Sequence, residues 1–78
     1  MTQTIVGTIT QEPEKQNAYY RFEMTDENGE AFKIDIRPHQ PKPDFRLGEK
    51  REVIVDYSEP LIKSAPNAFL FYVSSKRC

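Results

Sequence analysis

The sequence predicts an all-β chain closed into one small five-stranded barrel. Three observations carry that expectation. The apolar set is aromatic and β-branched: five Phe and four Tyr stand beside only three leucines in 78 residues, and such side chains suit a pleated surface better than a helix face. Two alternating runs flank an Asn-Gly pair, the strongest short-range hairpin signal. Finally, Pro38, Pro41 and Pro43 fall within six residues and deny helix to the long break after the third strand.

The elements follow in order. Thr4 to Thr10 reads as the first strand, with Ile5 and Ile9 on one face and Gly7 between them. Gln11 to Asn17, polar and holding Pro13, reads as a loop. In the second strand Tyr20, Phe22 and Met24 alternate with Tyr19, Arg21, Glu23 and Thr25; in the third, Phe32, Ile34 and Ile36 alternate with Lys33, Asp35 and Arg37. The turn Asp26-Glu27-Asn28-Gly29 joins them, giving a hairpin with one apolar and one charged face.

Pro38 to Pro43 is neither a helix interior nor a central strand, because each proline removes a donor and biases the residue before it towards extended geometry. One turn at Asp44–Leu47 is the most that fits before Gly48. Glu52 to Tyr57 is the fourth strand and Ala68 to Ser74 the fifth, across a loop holding Pro60 and Pro66. The residues from about 75 to 78 read as a frayed tail. The last two strands are apolar on both faces, and a two-sided strand needs a second cover. Ile54, Leu70 and Tyr72 either pack under Leu61 and Ile62 of the long loop or form the interface of a homodimer.

The length holds a single domain spanning residues 1–78. Eleven Lys and Arg against twelve Asp and Glu give a net charge of −1, so no global field favours nucleic acid or a membrane surface. No apolar run approaches a membrane span and no signal-peptide pattern opens the chain. The only cysteine is Cys78, so no disulfide forms within the chain. These features point to the cytoplasm.

Little chemistry is on offer. His39 is the only histidine, sits between prolines, and with one cysteine cannot build a zinc site. The four serines lack an activating motif, and the three glycines are scattered rather than gathered into a phosphate-cradling loop. The expectation is no enzyme, no cofactor and no metal. Charge is patterned, however: residues 11–30 carry −4, residues 31–51 carry +3, residues 52–62 carry −3 and residues 63–78 carry +3.

The chain resembles OB-fold nucleic-acid-binding proteins. Ile5-Val6-Gly7-Thr8-Ile9 is similar to the first OB strand, where a glycine lets the strand bend around the barrel. Tyr20 to Glu30 resembles the phrase in which a Phe-containing strand meets an Asp-x-x-Gly turn, and Leu47-Gly48-Glu49-Lys50 before Val53-Ile54-Val55 resembles the approach to the fourth strand. The likeness spans nearly the whole chain and is nearest to small single-strand-binding and replication-restart OB domains, some of them dimeric. One departure is that the proline-rich loop stands in place of most of the helix between strands three and four, leaving Phe45 and Leu47 to plug that end. An SH3-like small barrel is the structural alternative.

The resemblance implies that the outer face of strands two and three binds single-stranded DNA or RNA, with bases stacking on aromatics in a basic groove. Tyr19, Arg21, Lys33 and Arg37 supply those groups, His39 and Lys42 extend the groove, and Tyr72 and Lys63 lie at its other end. Arg21 and Lys33 can equally pair with Glu23 and Asp35 as ordinary surface ion pairs. The alternative function is a protein-interaction module, an adaptor or phage- or plasmid-type regulator docking on a larger complex.

Overall fold

The computed structural model describes residues 2–16, 18–57 and 70–77. They form five strands: β1 (Thr2–Gln16), β2 (Tyr19–Asp26), β3 (Ala31–Ile36), β4 (Lys50–Asp56) and β5 (Leu70–Arg77). The strands close into a barrel in the order β1-β2-β3-β5-β4, with β4 returning to β1. All neighbours are antiparallel except β3 and β5, which run parallel through Ile34↔Leu70 and Asp35↔Phe71. This is an OB-like barrel; the parallel contact sets it apart from an SH3-like meander. No helix occurs among the described residues.

Period-two alternation builds the core. Ile5 and Ile9, Phe22 and Met24, Ile34 and Ile36, and Val53 and Val55 all point inward and are buried, with Leu70 joining from β5. Phe45 closes one end, 3% exposed, its ring edge-on to Phe22 at 4.9 Å and to Tyr72 at 5.9 Å. The plug is Phe45 alone. Leu47, expected beside it, is 67% exposed, because it occupies the tip of the turn in which the Glu49 amide donates to the Arg46 carbonyl. Gly48 takes φ +84° there, as the third residue of a type II turn must.

β1 runs well past the residues that the sequence pattern assigns to it. Gln11–Gln16 is strand, not loop, and continues the pairing with β2 to Gln16↔Tyr19. Two register shifts, after Ile9 and after Gln11, absorb the irregular residues. Glu12 and Pro13 together face the single residue Phe22, so the missing proline donor sits in a bulge. β1 therefore serves both halves of the barrel, pairing with β4 over Thr2–Thr8 and with β2 over Gly7–Gln16. Gly7 is the crossing point, and its role is close approach: a Cβ there would meet the Thr25 carbonyl oxygen at 2.1 Å and the Asp26 Cα at 2.8 Å.

The chain end differs too. Residues 75–77 belong to β5 and pair with β4 through Val53↔Ser75 and Arg51↔Arg77, because the β4 edge needs that partner for the barrel to close. Of the expected interface residues, Leu70 is 4% exposed and lies in the core, sharing a row with the buried Ile34. Tyr72 shares the Val55 row, packs against Phe22, and its hydroxyl lies 3.1 Å from the Ser75 Oγ. Only Ile54, in a row with the exposed Thr4 and Ser74, faces outward, beside the 42% exposed Val73 of a bulge. Leu61, Ile62, Lys63, Ala68 and Cys78 lie outside the described residues.

Candidate functional site

The β2–β3 hairpin positions the charged face. Its turn is a three-residue loop: the Gly29 amide donates to the Asp26 carbonyl at 3.1 Å, and the Asp26 amide donates to the Glu30 carbonyl at 2.9 Å. Gly29 has φ +83°, as the glycine of this bulged turn requires. The Asp26 Oδ1 accepts from the amides of Asn28 and Glu30 at 2.9 and 2.8 Å, fixing the register at Thr25↔Ala31. That register places Arg21 opposite Asp35 and Glu23 opposite Lys33.

Four strands then contribute one outward row: Arg21 on β2, Asp35 on β3, Phe71 on β5 and Asp56 on β4. Arg21 Nε donates to Asp35 Oδ1 at 2.6 Å and Nη2 to Oδ2 at 3.4 Å, a side-on fork. The guanidinium lies 5.7 Å from the Tyr19 ring centroid, and Nη2 also reaches the Tyr19 hydroxyl at 3.4 Å. The hydrogen bond to Asp35 holds the Arg21 pKa above its ordinary value. Arg37 repeats the arrangement, 4.5 Å from the Phe71 ring and 3.6 Å from Asp56. Each arginine thus stands beside one aromatic ring and one carboxylate.

The loop after β3 is tied to the same place. The Gln40 amide donates to the Arg37 carbonyl at 3.0 Å, while its side chain accepts from the Arg37 amide at 3.1 Å and donates to the Tyr72 carbonyl at 2.8 Å. These bonds bridge β3 and β5 where their short ladder ends. His39 is exposed within that turn.

Of the expected residues, the structure brings Tyr19 and Arg21 together and places Arg37 two residues beyond Asp35 on the same side. Lys33 is exposed on that face, opposite Glu23. Lys42 stands apart. Its ammonium lies 5.5 Å from the ring of Tyr20, which projects to the other face of β2, and it lines a groove of about 310 Å³ at the barrel end with Glu12, Asp44 and Phe45. Tyr72 belongs largely to the core. Phe71 is the aromatic that sequence reasoning missed; β5 is apolar throughout, and only its pairing with Asp35 and Asp56 shows that Phe71 faces out.

Among the described residues no group of three or more His, Cys, Asp or Glu is arranged to hold a metal, and no helix is long and apolar enough to cross a membrane. Comparison with protein-family models, curated proteins and solved structures finds no match.

Proposed function

We propose that this is a non-catalytic cytoplasmic protein that binds single-stranded DNA or RNA on the outer face of β2, β3 and β5. The carrying observation is the pairing of each arginine with an aromatic ring on one sheet face: Arg21 with Tyr19, and Arg37 with Phe71. Rings offer stacking surface to any base, and the arginine edges and Lys33 offer donors to phosphate. Tyr19 and Phe71 stand two strands apart, about 10 Å across the sheet, so separate bases reach each ring. The carboxylates of Asp35 and Asp56 offset much of the cationic charge, which favours stacking over long-range attraction.

Fluorescence anisotropy with a labelled oligo-dT of about 20 nucleotides tests the reading. Micromolar binding is expected at about 50 mM salt, weakening towards about 200 mM. Tyr19→Ala and Phe71→Ala should each cost about 1–3 kcal/mol. Absence of binding at the lower salt would refute the proposal. The same carboxylate pairing, with Val73 exposed beside Ile54, favours the second reading, a module docking on a second copy or a larger complex. Sedimentation at low micromolar concentration tests the second copy, and a monomer excludes it.

A further inference from the structure

Asp35 is at odds with its place. It projects from the outer side of the barrel, yet the residue is only 7% exposed, the one charged residue buried among the described residues. A carboxylate removed from water is costly unless it is paired, and Arg21 pairs it through two donors on one edge. The fork uses Nε and one proton of Nη2; the Tyr19 hydroxyl takes the other direction of Nη2. Nη1, at the far side of the guanidinium, makes none of these bonds. Arginine carries a large rotamer entropy, and a planar fork held on one edge loses it before any ligand arrives.

We infer that Asp35 is a positioning residue, fixing the Arg21 guanidinium so that its Nη1 edge meets the nucleic acid. The inference rests on the binding reading above and adds a sign that simple electrostatics does not share. Asp35 is negative on a face that must meet phosphate. On charge alone, Asp35→Asn tightens binding, by up to about threefold for charges about 7 Å apart in water. As a positioning residue, its loss frees Arg21 and restores the ordering cost on binding, about two- to tenfold in affinity.

A double-mutant cycle separates the two effects. Binding of the labelled oligo-dT is measured for the wild type, Asp35→Asn, Arg21→Ala and the double variant. In the Arg21→Ala background only the charge effect remains, so Asp35→Asn should tighten binding there. In the wild-type background the same change should be less favourable by about two- to tenfold. An equal effect of Asp35→Asn in both backgrounds overturns the inference while leaving the binding reading intact. A wild type that does not bind removes both.

Arg21→Ala leaves Asp35 without its fork, so a second measurement is made on the intact protein. Nitrogen relaxation of arginine Nε–H groups should show Arg21 ordered nearly as well as the backbone, and the exposed Arg46 mobile. Asp35→Asn should release Arg21 to the Arg46 level with the backbone unchanged. An Arg21 side chain as mobile as Arg46 in the wild type also overturns the inference.

Discussion

Gly7→Ala tests the crossing on which the barrel depends. Gly7 pairs with Asp26 on one side and Arg51 on the other. An added Cβ would lie 2.1 Å from the Thr25 oxygen and 2.8 Å from both the Thr25 carbonyl carbon and the Asp26 Cα. Ordinary contact begins at 3.4 Å, about 1.3 Å beyond the first of these, and every obstructing atom is backbone, so no rotamer change relieves it. β1 must move off β2 where both are held in ladders. Overpacking in a core costs about 1–3 kcal/mol where side chains give way. Against backbone the upper part of that range or beyond applies, and the gain of under about 1 kcal/mol from a stiffer unfolded chain does not offset it. The expected loss is about 2–4 kcal/mol, from a total of about 4–12 kcal/mol for a domain of this size. In urea, with a slope near 1 kcal/mol/M, the midpoint falls by about 2–4 M. A midpoint within about 0.5 M of wild type at unchanged slope would refute the close-approach argument.

Three further outcomes follow from the same geometry. Phe45→Ala empties the plug and should cost about 3–5 kcal/mol, whereas Leu47→Ser at the exposed turn tip should stay within about 0.5 kcal/mol; thermal denaturation of both compares them directly. Gln40→Ala removes the side-chain bridge between the Arg37 amide and the Tyr72 carbonyl and should cost about 1–2 kcal/mol, with hydrogen exchange accelerated at Arg37 first. Glu49, hydrogen-bonded by Arg51, is held below the ordinary glutamate pKa. Its contribution is therefore complete above the unfolded value near about 4.3 and is lost as pH falls through the lower folded value. Urea midpoints should decline less steeply below about pH 4 in Glu49→Gln than in wild type, and parallel declines would contradict the pairing.

What could be read in the chain follows from which interactions leave a one-dimensional trace. The β2–β3 hairpin was legible because Phe22, Met24, Ile34 and Ile36 alternate with polar residues and Asn28-Gly29 carries the turn chemistry. The extension of β1 was not. Gln11–Gln16 is held by backbone ladders with mostly polar side chains, and Pro13 reads as a break until the partner strand shows the bulge that accepts it. Leu70 and Tyr72 looked outward because the β5 run is apolar throughout, and only cross-strand rows decide facing: Leu70 follows Ile34 and Tyr72 follows Val55. The same rows reveal Phe71. At the candidate site, residue types named Tyr19, Arg21 and Arg37, but the burial of Asp35 beneath Arg21 depends on register and could not be read from spacing.

The claim that the β2–β3–β5 face binds single strands is tested most directly by an amide chemical-shift titration of the intact protein with oligo-dT of about 20 nucleotides. The account predicts the largest shifts at Tyr19, Arg21, Lys33, Arg37 and Phe71, moving together along one binding curve. Largest shifts around Glu12, Lys42 and Leu47 at the barrel end, or no shifts at saturating oligonucleotide, would contradict it.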